Sequence, residues 1–227
     1  MSNNPESNNP ESNKLSQINE VQINHQAKGI IFKSMELILS NLKDNMTHIA
    51  RPKYFKHTQK LINLIFNGLN NNRRFFLLAS GRSGMILQCF ATRLVHLGAE
   101  VHMITNLASI PALRKKDILI VLSGSGTTKI VVSLLETYVN AVKPFGVVAI
   151  TSHPDTIIGR IGDITIKLIG RTKKDTDKIS ADTAILTPEG TQFEIAAFVY
   201  LDAIIAELAV KLGKSNEDML MQHSSAI

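Results

Sequence analysis

The amino-acid sequence predicts an α/β fold: a three-layer sandwich with a doubly wound parallel sheet, preceded by helices. Two observations carry this. Short apolar runs at Phe75–Ala79, Val101–Ile104, Ile118–Leu122, Val147–Ile150 and Ile164–Ile169 have the length of strands, and such continuous runs suit strands buried on both faces. Longer stretches with helical spacing fill much of the sequence between them, and that alternation implies a parallel sheet covered by helices on both sides.

Taken in order, the chain opens with SNNPE twice in succession, Ser2–Glu6 and Ser7–Glu11, and stays polar to about Asn24. Such a segment buries too little apolar surface to offset the entropy of ordering, so residues 1–25 are expected to form a disordered tail. Residues 26–227 are expected to form one domain, because a chain of 227 residues with 44% hydrophobic content can bury a full core. From Gln26 one helical pattern runs toward Ile49, and a second runs from Tyr54 to Leu69, with Arg51-Pro52 between them. Within the strand region, helices are expected at Ser83–Leu97, Thr127–Val142 and Thr191–Leu212, with a short one from Asn216.

Composition excludes several classes of function. The formal net charge is +6, but the basic residues are scattered and form no stripe interleaved with aromatics, so no nucleic-acid partner is expected. No apolar run reaches the roughly 18 residues of a membrane span, and Phe193–Leu212 is interrupted by Glu194, Asp202, Glu207 and Lys211. The N-terminus lacks the charged start and apolar core of a secretory signal, which points to a cytoplasmic protein. Cys89, the sole cysteine, reads as a buried inert thiol on the apolar face of a helix. The histidines show no metal-ligand spacing, so no metal is expected.

The strand-to-helix turns hold the functional signal, since ligands of open α/β sheets bind at the carboxyl ends of the strands. Ser80-Gly81-Arg82-Ser83-Gly84 follows the first strand, and Ser123-Gly124-Ser125-Gly126-Thr127-Thr128 follows the third. Two readings fit these hydroxyls. They can cap the following helices, as Ser and Thr ordinarily do, or they can bind an anion together with the free N–H groups of a helix start. Two such loops at the same end of one sheet favour the anion. Lys129 stands where the dinucleotide pattern needs its third glycine, and no P-loop pattern occurs, so a small phosphate ester is favoured over a nucleotide.

These loops resemble the sugar isomerase (SIS) domain family. Within it, Gly81-Arg82-Ser83-Gly84 through Arg93-Leu94-Val95-His96-Leu97-Gly98, Gly170-Arg171-Thr172-Lys173, Pro188-Glu189-Gly190-Thr191-Gln192-Phe193-Glu194 and Leu201-Asp202-Ala203 are similar to the 6-phospho-3-hexuloisomerases. The likeness spans about Gln26 to His223. Near the C-terminus, Gln222-His223-Ser224-Ser225 keeps the histidine of the family's closing motif but not its neighbours.

The resemblance implies interconversion of 3-hexulose 6-phosphate and fructose 6-phosphate by proton transfer through an enediol, with no cofactor. It implies Glu194 as the base and His223 as a second catalytic group reaching a neighbouring subunit's site. Ser123, Ser125 and Thr128 would cradle the phosphate, with Gly124, Gly126 and Thr127 beside them. Ser83, with Gly81 and Arg82 in its loop, would face the sugar, and Arg171 would complete the anion site. It further implies a homo-oligomer, with a tetramer favoured, and a functional link to 3-hexulose-6-phosphate synthase in the ribulose monophosphate pathway. The same domain also serves non-catalytic phosphosugar-binding regulators and arabinose-5-phosphate isomerases, which stand as the alternatives.

Overall fold

The computed structural model describes residues 29–104, 110–172, 174–175 and 181–221. The expected tail and His223 lie outside the described residues. Two helices, α1 (Ile30–Ala50) and α2 (Pro52–Asn70), lead into β1 (Phe75–Leu78), α3 (Gly81–His96) and β2 (Val101–Met103). β3 (Ile118–Leu122), α4 (Lys129–Val142), β4 (Gly146–Thr151), α5 (Ile157–Ile161) and β5 (Ile164–Lys167) follow. The chain continues through α6 (Ala181–Leu186), α7 (Thr191–Leu212) and α8 (Asn216–Met221). No described helix is long and apolar enough to cross a membrane.

The five strands form one parallel sheet in the order β2-β1-β3-β4-β5. β1, β3 and β4 are buried at every position, and successive residues face opposite layers. Phe75, Leu77, Ile118, Ile120 and Leu122 join a core with Leu61 and Ile65 of α2, Leu87 and Leu94 of α3, and Ala197 and Leu201 of α7. Phe76, Leu78, Leu119 and Val121 point the other way, against Val131 and Leu135 of α4 and Ile158 of α5. Helices therefore cover both faces, as expected. Strand order reverses between β1 and β3, and the two hydroxyl-rich loops leave the sheet at that switch point.

At the opposite end of these strands Asp117 is fully buried and accepts from Arg74 Nε at 3.1 Å, Arg74 Nη2 at 2.6 Å and the Arg114 N–H at 2.6 Å. α1 is held by polar contacts: Asn45 Nδ2 donates to the Ile169 carbonyl at 2.7 Å, and the Ile169 N–H returns a bond to Asn45 Oδ1 at 2.7 Å. One expectation needs correction. Cys89 is exposed. α3 buries Leu87, Phe90 and Leu94, and two residues beyond Leu87 the helix has turned about 200°, which carries Cys89 to the outer side.

One packing contact sets where α7 begins. Phe193 is buried in its first turn, between the loop after β3 and the chain leaving β5. A Cβ on Gly170 would stand 2.4 Å from the Phe193 backbone nitrogen, and one on Gly124 would stand 2.8 Å from the Phe193 ring. Only glycine permits these approaches. Gly170→Ala meets backbone, which cannot rotate aside, so it is expected to destabilise the chain by about 1–3 kcal/mol. Urea unfolding monitored by circular dichroism checks this; an unchanged midpoint contradicts it.

Candidate active site

β3 delivers the chain into the loop Ser123–Thr128, in which Ser123 and Ser125 are buried. The end of β4 braces this loop from behind. The Gly124 carbonyl accepts from the Ser152 N–H at 3.1 Å and from Thr151 Oγ1 at 3.1 Å, while the Ser123 N–H donates to the Ile150 carbonyl at 3.0 Å. Gly126 has φ +63°, and a Cβ there would lie 1.9 Å from Thr156 Oγ1, so the turn requires glycine on both steric and conformational grounds.

The hydroxyls do not cap the helices they precede. Thr128 is the N-cap residue of α4 and Ser80 that of α3, and neither side chain bonds to a helix N–H. Instead Ser123 Oγ lies 3.4 Å from Thr128 Oγ1, and Thr127 Oγ1 donates to Ser125 Oγ at 3.3 Å. The Thr127 N–H reaches Ser125 Oγ only at 3.4 Å, a long contact. Both helix starts thus present N–H groups that their N-cap side chains leave unsatisfied, the arrangement that receives an anion.

These loops open onto a cavity of about 160 Å³. Ser80 and Ser83 line it from the loop after β1, and Ser123, Gly124, Ser125 and Thr128 from the loop after β3. Gly190 and Glu194 line the side formed by α7. Gly190, the N-cap of α7, has φ +84°, and a Cβ there would come 3.3 Å from Glu194 Oε1, so glycine leaves room for the carboxylate.

Glu194 occupies the first turn of α7, with its side chain 12% exposed. Arg82 Nε, from a side chain 55% exposed at the start of α3, lies 2.8 Å from Glu194 Oε2. That contact pairs the charges without the alignment of a hydrogen bond, and the buried Oε2 has no hydrogen-bond donor among the described residues. Burial pushes the Glu194 carboxyl above the usual range for glutamate, and the Arg82 charge opposes part of that rise. The result is a carboxylate more basic than an exposed one, facing hydroxyls across a small cavity.

The structure thus brings together Ser83, Ser123, Gly124, Ser125, Thr128 and Glu194, and sets Arg82 against the last of these. Gly126 supports the loop from outside the cavity lining, Thr127 is exposed, and Gly81 lines an adjoining cavity. Arg171 lies elsewhere. Its guanidinium donates to the carbonyls of Ala184 and Thr187, and its N–H donates to Gln192 Oε1 at 3.3 Å. It joins the chain after β5 to the segment between α6 and α7 rather than lining the cavity.

Some lining residues had no separate signal in the sequence. Thr172 is buried against the cavity, and its N–H and Oγ1 both donate to Asp175 Oδ2 at 3.0 Å. His153 Nε2 lies 3.1 Å from the same oxygen and 3.0 Å from Thr172 Oγ1. Burial pushes the Asp175 carboxyl up, but the bonds from Thr172 and the nearby His153 outweigh it and hold the group below its ordinary value. Glu189, the other carboxylate at the cavity, precedes Gly190. Among the described residues no cluster of three or more His, Cys, Asp or Glu is placed to hold a metal ion.

Comparison with known proteins places this geometry in a family. The SIS domain model matches residues 68–199, which include both hydroxyl-rich loops and the first turn of α7. An uncharacterized protein of Aeropyrum pernix is 36% identical over 161 residues, covering 67% of this chain and 74% of its own. The 3-hexulose-6-phosphate isomerase of Bacillus subtilis is 33% identical over 156 residues, covering 68% of this chain and 80% of its own. Among solved structures, a Methanococcus jannaschii protein for which a 3-hexulose-6-phosphate isomerase function was inferred superposes with a TM-score of 0.68 at 24% identity, covering 86% of this chain and 99% of its own. The match of family model and fold together identifies the chain as a member of the SIS domain family.

Proposed function

We propose that this protein is a 6-phospho-3-hexuloisomerase, interconverting 3-hexulose 6-phosphate and fructose 6-phosphate. The observation that carries the reading is the part-buried carboxylate of Glu194, its pKa raised by that burial, facing two helix starts whose N-cap hydroxyls are not used as caps. The B. subtilis relative, a 3-hexulose-6-phosphate isomerase by name, supports the choice of substrate. The site of action would be the cytoplasm, where a charged sugar phosphate made there is retained. The substrate would come from a 3-hexulose-6-phosphate synthase in the ribulose monophosphate pathway, and the enzyme would be a homo-oligomer, with a tetramer favoured.

In this mechanism the phosphate rests on Ser123, Ser125 and Thr128 at the start of α4, where the helix dipole favours negative charge. Ser80 and Ser83 face the sugar hydroxyls. Glu194 takes the proton from the carbon beside the ketone, C2 of the 3-hexulose or C3 of the open-chain fructose, and returns it to the neighbouring carbon. Arg82 offers positive charge beside the carboxylate and the developing enediolate. The hydroxyl proton that must move between O2 and O3 is assigned to His223, on the family resemblance alone.

Binding and turnover should separate. Ser125→Ala is expected to weaken fructose 6-phosphate binding by about 1.5–3 kcal/mol, the worth of a hydrogen bond to a charged group. Glu194→Gln is expected to keep that affinity and lower turnover by about 10²- to 10⁴-fold. Calorimetry and an assay coupled to a synthase with ribulose 5-phosphate and formaldehyde read the two effects. A wild-type chain that binds sugar phosphates and isomerises none would establish a sensor, and turnover on arabinose 5-phosphate alone would establish the other isomerase.

The pH profile gives a second test. A base acts only when deprotonated, so activity should fall as pH drops through the raised Glu194 pKa. Removing Arg82 removes the influence that lowers this pKa. In Arg82→Gln the acidic limb of kcat against pH is therefore expected to move to higher pH. A limb that stays in place, or moves down, contradicts Glu194 as the titrating group.

A further inference from the structure

α1 carries two stripes that differ in chemistry. The stripe facing its own subunit is largely polar, with Asn41, Asn45 and His48 buried and Ser34 Oγ donating to the Leu186 carbonyl at 2.5 Å. Roughly 100° round the helix, Phe32, Met35, Leu39, Leu42, Met46 and Ile49 form an apolar line. Phe32, Met35, Leu39 and Met46 are 46%, 53%, 54% and 71% exposed, while Leu42 and Ile49 are half-buried where the line drifts toward the domain. Their spacing alternates between three and four residues throughout, the a/d repeat through which one helix packs knobs into the holes of another. Isolated exposed apolar residues are ordinary, but a continuous seam of this period calls for a helical partner.

We infer that α1 pairs antiparallel with α1 of a second copy of this chain, about a two-fold axis passing between Ser40 and Asn41. The seam is complementary to itself under that axis. Phe32 meets Ile49 of the other copy, Met35 meets Met46, and Leu39 meets Leu42, so every knob finds an apolar counterpart. The charges beside the seam agree. Glu36 and Lys43 are exposed and occupy successive e positions of the repeat, and in an antiparallel pair e positions face e positions. Glu36 therefore lies near Lys43 of the other copy, and the two-fold axis makes the contact twice. In a parallel pair the e positions would face g positions instead, which here are Ile31, Ile38 and the buried Asn45, and no such charge match arises. Glu36 also has a partner within its own chain, and a carboxylate accepts from more than one donor.

The inference rests on the homo-oligomeric reading above, and not on the reaction assigned to the site. A chain that associates through α1 supports it even if fructose 6-phosphate proves not to be a substrate.

Sedimentation of the full chain at micromolar concentration tests it. The native chain is expected to associate, and Leu39→Glu, at a position already half exposed in the subunit, is expected to halve the mass of the assembly while the circular dichroism melt stays cooperative. Glu36→Lys sets like charges against each other twice and is expected to weaken association roughly tenfold. Adding Lys43→Glu to that variant restores opposite charges and is expected to recover affinity to within about threefold. A monomeric native chain, association unchanged by Leu39→Glu, or failure of the double reversal to restore it would each overturn the antiparallel pairing.

Discussion

The contact of Phe193 with Gly124 and Gly170 is the constraint on which the geometry of the site depends. It brings the first turn of α7 against the loop after β3, at a separation that only the absence of two Cβ atoms permits. Glu194 is one residue beyond Phe193 in the same turn, so the contact that buries the ring also sets the distance from the carboxylate to Ser123, Ser125 and Thr128. Packing and chemistry are coupled here through one helical turn. An interior packed at crystal-like density transmits a small shift at Gly170 directly to the cavity.

In the proposed reaction, electrostatics at the cavity balance two opposed demands. A carboxylate that abstracts a proton from carbon must be basic, and burial under the start of α7 makes it so. It must also be ionised to act, and Arg82 favours that form from the solvent side. The phosphate end works by a different principle. It carries no buried arginine or lysine among the described lining residues; hydroxyls and helix N–H groups supply the attraction, and they are rigid because β4 braces the loop through Thr151 and Ser152. A site of this kind binds a phosphate without adding a second cation to Arg82 beside the base, which would depress its pKa further.

Much of this was legible in the sequence because its causes are local. Continuous apolar runs marked the strands and the hydroxyl-rich turns marked the switch-point loops, whereas Glu194 entered as the base through the family resemblance, since an acidic residue in a helix's first turn is ordinary on its own. What escaped depends on tertiary approach. Thr172 enters the cavity only because Gly170 lets the chain after β5 pass close to α7, and Asp175 then orients it together with His153. Arg171 was expected at the anion through the family resemblance; Ala184 of the short α6, too brief to give a periodic signal, and Thr187 just beyond it supply the carbonyls that draw it away. The exposure of Cys89 is not legible locally, because apolar residues surround it in α3 and only the packed fold decides which face of the helix is covered. The seam on α1 shows as a heptad in the sequence, but that it faces outward follows only from the polar residues that anchor the helix.

The central claim is that the carboxylate in the first turn of α7 removes a proton from the sugar carbon while the loop after β3 holds the phosphate. Following the hydrogen at C3 of fructose 6-phosphate tests it most directly. With deuterium at that carbon and the native chain saturated with ligand, nuclear magnetic resonance should show the label leaving C3, either to C2 of the 3-hexulose or to solvent. Deuterium that stays on C3 in all recovered sugar, from a site that is demonstrably occupied, would contradict it.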